Sequence, residues 1–315
     1  MVERRGAGLH RFAVLTAGAT FVLLFVGGLV TSTGSGLAVP DWPLSFGMLL
    51  PPMRGGVLFE HGHRLAAALV GGLTVALALW TVVSEPRPGV RALGLTALLA
   101  VILQGVLGGV TVLYKLPLAV SVTHACLAQA FFCLTVTLAL VTSAGWTAAR
   151  PREVAPRLAR LAAFTTSLVF VQLVLGALMR HLGAGLAIPD FPLAFGRLVP
   201  PLATPYITIH FAHRVGALAV TVVVAVTVGA VLRERAAGSW LRRPALLAAG
   251  LVLVQLTLGA LVIWSRRAVL PTTTHLVVGA ALLATCLVLA LRAGRVAAPR
   301  AAEASALRVR RQALA

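Results

Sequence analysis

Acidic residues are scarce in this chain: eight Asp and Glu stand against 27 Lys and Arg in 315 positions, and only 11% of residues are charged while 59% are hydrophobic. So little charge on so apolar a chain excludes an ordinary soluble domain. Cysteine is scarce as well. Cys126, Cys133 and Cys286 all fall inside apolar runs, so no disulfide can staple the loops between them. There is no glycine-rich flavin or nicotinamide fingerprint, which makes any redox partner external to the chain.

What the chain has instead is long apolar runs. A spanning helix needs roughly 20 apolar residues to cross hydrocarbon, and eight such runs lie near 12–32, 62–83, 92–113, 118–142, 159–180, 210–232, 244–264 and 270–291. The pattern predicts an all-α integral membrane protein with eight transmembrane helices whose centres are uniformly apolar. The first run is too long, and too directly followed by "GGLVTSTGSG", for a cleaved signal peptide, and is expected to be a retained helix.

The formal charge of +19 is laid out by connection. Arg4, Arg5 and Arg11 precede the first run, Arg87 and Arg91 follow the second, and Arg150, Arg152 and Arg157 follow the fourth. Arg233, Arg235, Arg242 and Arg243 follow the sixth, and Arg295, Arg300, Arg308, Arg310 and Arg311 follow the last. By the positive-inside rule both termini and these connections face the cytoplasm, as in a multi-pass bacterial-type cytoplasmic membrane protein. The charge reports topology and anionic lipid, not nucleic acid.

"GGLVTSTGSGLAVPDWPLSFGMLLPP" from Gly27 overlays "GALMRHLGAGLAIPDFPLAFGRLVPP" from Gly176 without a gap, and "EHGHR" then meets "HFAHR". The offset drifts only from 149 to 151 residues, so the chain is a tandem duplication. Four helices per repeat make the repeats parallel, as two tandem four-helix bundles. The expected division is a tail at 1–11, a first repeat at 12–142, a linker at 143–158, a second repeat at 159–292 and a basic tail at 293–315. "QGVLGG", "QLVLGA" and "QLTLGA", from Gln104, Gln172 and Gln255, put small residues one turn apart and are expected to form packing seams with a glutamine bonded across helices.

Each even-numbered run carries one histidine near its outer end: His63, His124, His213 and His275. Four ionisable side chains at one depth in a membrane bundle are functional candidates. Two facing imidazoles among apolar helices suit axial ligation of haem iron, whereas zinc normally takes three or four protein ligands. Arg64 and Arg214 directly follow two of these histidines and could either pair with haem propionates or snorkel to the interface. Asp41 and Asp190, in the duplicated Pro-Asp-aromatic-Pro turns, are expected to brace lids. Trp42 and Phe191 could touch a porphyrin edge or anchor at the interface. His61 and His181 receive no role, and His210 either braces His213 or sits at the interface. The depth of Cys286 makes it an unsuitable ligand, and Cys126 and Cys133 are expected to pack.

The duplicated eight-helix plan, "TGSGLAVPDWPLSFG", "EHGHR" and the single histidines on helices 4, 6 and 8 together resemble the haem A synthase family over roughly residues 12–292. The resemblance implies oxidation of the C8 methyl of haem O to a formyl group by successive hydroxylations. It implies haem O as substrate between His63 and His124, and haem B held by His213 and His275. A haem O synthase as donor, an external electron acceptor and the lipid bilayer are the partners implied, and a homo-oligomer is compatible with them. Many family members carry a cysteine pair in the first outer loop, which this chain lacks, so no mechanism here can use those thiols. Glu60 aligns with His210 and is the one acid bordering a proposed haem site. One turn from His63, it is expected to handle protons during methyl oxidation or to orient the histidine. A bis-histidine di-haem electron-transfer protein is the alternative, and would need no such asymmetry.

Overall fold

The computed structural model describes residues 2–150 and 154–297, the side chains of residues 2–6 excepted. Arg152, Arg300, Arg308, Arg310, Arg311 and most of the expected basic tail lie outside the described residues, as do the side chains of Arg4 and Arg5. Eight helices among the described residues are long and apolar enough to cross a membrane. They are α1 (Val2–Ser32), α2 (Gly56–Ser84), α3 (Pro88–Leu113), α4 (Leu118–Val141), α5 (Pro156–His181), α6 (Pro205–Arg233), α7 (Gly238–Trp264) and α8 (Val269–Val296). The chain is an all-α, multi-pass membrane protein.

Several helices begin well before the apolar runs that announced them, because hydropathy ends at a polar residue while a helix continues to its cap. α6 starts at Pro205, which has no N–H to lose at a first helical position, behind Thr204, whose Oγ1 accepts the Ile207 N–H (3.3 Å). α2 starts at Gly56, so Glu60 and His63 lie one to two turns inside the helix rather than at its threshold. The two short turns, from α3 to α4 and from α7 to α8, share one build. Lys115 and Leu116 (φ 57° and 60°) and Arg266 and Arg267 (φ 52° and 68°) are left-handed. The Leu116 and Arg267 N–H groups reach back to Thr111 O (2.7 Å) and Val262 O (2.8 Å), closing the helix ends.

The helices pack as two rings of four: α1 on α2, α2 on α3, α3 on α4 and α4 on α1, then α5 to α8 in the same order. Leu77, Val70, Phe131 and Leu138 fill the first ring, and Val224, Leu241, Leu283 and Cys286 fill the second. The rings meet through α1–α8, α4–α5 and α4–α8, around Leu24, Phe132, Ala280 and Ala284. Apolar residues such as Leu69, Leu79, Leu99 and Leu253 stay exposed on the outside of the rings, as a lipid-facing surface requires.

The helix centres are not uniformly apolar. Thr16, Thr20, Thr74, Thr81, Thr135, Thr165 and Thr227 are buried there. Their hydroxyls bond carbonyls one turn back in their own helices, as Thr74 does to Val70 O (2.7 Å) and Thr20 to Thr16 O (2.8 Å). Satisfied in this way, a hydroxyl costs little in hydrocarbon. Thr165 and Thr227 also bond each other across α5 and α6 (2.7 Å).

Candidate functional site

Each of the four histidines lies against a glycine of the preceding helix. A Cβ on Gly27 would come 3.0 Å from the His63 ring, one on Gly108 3.3 Å from His124, one on Gly176 3.0 Å from His213 and one on Gly259 3.4 Å from His275. The glycines are on α1, α3, α5 and α7 and the histidines on α2, α4, α6 and α8. A side chain at Gly27, Gly108 or Gly176 would crowd the imidazole, and one at Gly259 would lie against it. In the second ring the two imidazoles come together, with centroids 6.5 Å apart and planes inclined by 69°.

The polar accounting around these rings tests the fit to haem. Nδ1 of His63, His124 and His275 is buried without a hydrogen-bond partner, and buried polar atoms are rarely left so. Among the described residues no group of three or more His, Cys, Asp and Glu comes together, so an ion needing three or four protein ligands is not served. Two imidazoles with ring nitrogens to spare suit an iron whose other positions a porphyrin fills. The donor set therefore fits haem. Cys126 and Cys133 are half-buried and Cys286 is buried in the second core, Cys286 eleven residues along α8 from His275.

A pair of matched lids covers this end of the bundles. Asp41 accepts the N–H groups of Phe46 (2.7 Å) and Gly47 (2.8 Å), and Asp190 those of Phe195 (2.7 Å) and Gly196 (2.8 Å). Those bonds, Gly47 or Gly196 first, hold both carboxyls below their ordinary value of 3.8. Phe46 and Phe195 (φ 54° and 55°) turn left-handed to deliver them. Trp42 leans onto α3, where a Cβ on Gly109 would come 2.6 Å from the indole. Phe191 instead stacks edge-on with Trp264 of α7 (6.1 Å).

The two arginines for which propionate pairing and snorkelling were both open are bonded to the lids. Arg64 donates to the carbonyls of Asp41 (2.7 Å), Leu44 (2.7 Å) and Val39 (3.4 Å), and Arg214 to those of Leu193 (2.9 Å), Asp190 (2.7 Å) and Ile188 (3.1 Å). A guanidinium's several donors in a fixed fork suit it to gathering carbonyls in this way. Glu60 is 4% exposed. It accepts the Val39 N–H at Oε2 (2.8 Å) and pairs with Arg64 at Oε1 (2.7 Å), without bonding the His63 ring. His210 does the matching work in the second half, taking the Ile188 N–H at Nδ1 (3.2 Å). It thus braces the lid, not His213. His61, assigned no role from sequence, is buried and bonded to Ser45 Oγ (2.8 Å).

Two features were missed or undervalued in the sequence. The three glutamines contact the histidines: Gln104, Gln172 and Gln255 donate to the carbonyls of His124 (3.0 Å), His213 (2.8 Å) and His275 (3.0 Å). The signal was their place one turn before each glycine. Arg180, standing where the first repeat has Thr31, ties the halves together by donating to Gly28 O (3.1 Å) and Ser32 Oγ (2.8 Å) of α1. Ser32 in turn accepts from Thr273 of α8 (2.9 Å). The Arg180 Nε is buried and unpartnered, so this cation retains a donor for an anion. A charge inside an apolar run, absent from the other repeat, was its signal.

Residues 53–288 match the family described as cytochrome oxidase assembly protein. The chain is 37% identical over 265 residues to a haem A synthase of Symbiobacterium thermophilum, covering 79% of this chain and 84% of that one. It is 30% identical over 215 residues to the enzyme of Alkalihalophilus pseudofirmus, covering 66% and 71%. It is 30% identical over 243 residues to that of Halalkalibacterium halodurans, covering 72% and 78%.

The lid geometry makes two predictions. Gly109→Ala drives the Trp42 indole off α3 and speeds hydrogen exchange in the loop between α1 and α2, and Trp42→Phe in the same chain restores it; unchanged exchange in the single variant would refute the packing. Because their folded pKa values are depressed, Asp41 and Asp190 hold the lids fully above pH 3.8 and release them as pH falls through the folded values. Protection of the Phe46, Gly47, Phe195 and Gly196 amides should therefore persist down to about pH 4 and fail below it, with no such loss attributable to the carboxylates in an Asp41→Asn, Asp190→Asn chain.

Proposed function

The chain belongs to the haem A synthase family, and we propose that it carries out that reaction, oxidising the C8 methyl of haem O to a formyl group. The observation that carries the proposal is the recurrence of one arrangement four times at one level: a half-buried imidazole seated on a glycine of the neighbouring helix. Haem O is the substrate. We assign it to the first repeat, 12–142, between His63 and His124. Haem B is assigned to the second, 159–292, with His213 and His275 as its iron ligands. The segment 143–158 is then the linker, and the segments 1–11 and 293–315 are cytoplasmic tails.

No side chain here can take hydrogen from an unactivated methyl, so bound haem iron supplies the oxidising equivalents. The protein's own groups orient and enclose. The histidine pairs fix the porphyrin planes, the Asp41 and Asp190 lids limit water, and Arg64 and Arg214 hold those lids shut by their loop carbonyls. Arg180, with its spare buried donor, is better placed for a haem carboxylate than Arg64 or Arg214, whose Nη groups are engaged by the lids. Glu60 latches the first lid and is also the one carboxylate at this level that can accept a proton, since His210 replaces it in the second half. An external electron acceptor and a haem O synthase as donor complete the reaction, and association into a homo-oligomer is compatible with it. The purely electron-transferring alternative is not favoured: the halves differ where a reacting site and a resident haem should differ.

Haem extraction and chromatography from membranes of a host supplied with a haem O synthase test the assignment. Haem A should appear only when this chain is present. Loss of haem B alone from a His213→Ala, His275→Ala chain would support the division between halves; loss of haem O alone from it would reverse it. Glu60→Gln should keep the Val39 N–H bond and both haems while lowering haem A on the order of a hundredfold, within the usual range for a proton-transferring group. Full haem A yield from that variant would reduce Glu60 to a latch.

A further inference from the structure

Three of the four histidines share a second partner. On α3, α5 and α7 a glutamine stands one turn before the glycine that seats the imidazole, and its side-chain amide donates to that histidine's carbonyl. The same amide nitrogen lies 3.5 Å from a ring nitrogen of His124, 3.1 Å from His213 and 3.4 Å from His275. In all three glutamines Oε1 is buried and has no partner, so it is the amide nitrogen that faces both the carbonyl and the ring. A side chain held against both the carbonyl and the ring of a histidine fixes the orientation of the imidazole, as the outer partners of a metal ligand do.

α1 departs from this rule. The residue one turn before Gly27 is Leu23, on the same helical face by its i, i+4 spacing. It offers no donor to the His63 carbonyl or to its ring. The neighbouring helices record the same difference. In α6 the residue three after His213 is Gly216, where an added methyl would run into the Gln172 side-chain oxygen. In α2 the residue three after His63 is Ala66. Of the four helix pairs, only α1–α2 is built without the glutamine.

We propose that Leu23 makes His63 the one iron ligand of the four that can leave, so that the first-half haem opens a coordination position on the α2 side while the second-half haem stays closed. This rests on the haem assignment above and deepens it by naming the ligand that yields. His124, on the opposite helix, keeps its glutamine and is the permanent ligand of the pair.

The test is carbon monoxide binding to the reduced, full-length protein loaded with both haems, followed by optical difference spectra that separate the two haem types. The unmodified chain should bind carbon monoxide at the first-half haem only. Leu23→Gln with Ala66→Gly, which installs the missing amide and its space, should weaken that binding on the order of tenfold, the usual effect of a partner behind a metal ligand. Ala66→Gly alone should leave it unchanged. Gln172→Leu should bring carbon monoxide binding to the second-half haem. Equal binding by the double variant and Ala66→Gly alone, with both haems present, overturns the role of Leu23, as does carbon monoxide binding confined to the second-half haem of the unmodified chain. A folded chain that retains no haem in either half overturns this inference and the haem assignment together.

Discussion

The contact of imidazole with glycine sets the spacing of everything else. A histidine that must keep a ring nitrogen available inside a membrane bundle cannot be buried among large side chains, and it cannot face lipid. Glycine on the adjacent helix resolves both demands by letting the helices close while leaving a flat recess for the ring. Repeated at Gly27, Gly108, Gly176 and Gly259, this contact fixes which faces of α1, α3, α5 and α7 turn inward. The remaining core residues pack to suit.

Above the histidines, the polar groups of the outer loops are paired almost entirely within the loops. Asp41 and Asp190 bind backbone N–H groups, and Arg64 and Arg214 collect backbone carbonyls. Charge of both signs is thus used to give irregular backbone the partners that regular structure would have supplied. The two lids differ at their latch, where a buried carboxylate–guanidinium pair in the first half is matched by a neutral imidazole bond in the second. Breaking the first exposes an unpaired charge, whereas breaking the second exposes only a neutral group.

Much of this was readable from the sequence because the signals were local. Eight apolar runs, arginine-rich alternate connections and a nearly constant repeat offset gave the spans and the duplication, and four histidines at one depth pointed to the candidate site. Helix starts were misplaced because polar residues such as Glu60 and His61 are buried by the lids, which hydropathy cannot anticipate. The work of Arg64 and Arg214 was hidden for a related reason: their acceptors are backbone carbonyls more than 20 positions earlier in the chain, and carbonyls leave no mark in a sequence. The glutamines were visible as a motif, but their partner histidines lie on the next helix, so only the packed arrangement shows whom they serve. Arg180 needed the same placement, since its partners are in the other repeat.

The contact of α1 with α8 also closes the molecule into a loop of elements. The first and last helices run side by side, joined at one end by the Ser32–Thr273 hydrogen bond and along their middle by Leu24 and Ala280. Each half therefore touches the other through its own first and fourth helices, and α1 and α8 begin and end on the same face of the bundle. The order in which the chain visits the two halves is consequently not dictated by their contacts. A circular permutant opened in the segment between α4 and α5, with α8 joined to α1 by a short linker, would keep every helix in its place and orientation while reversing which half is synthesised first.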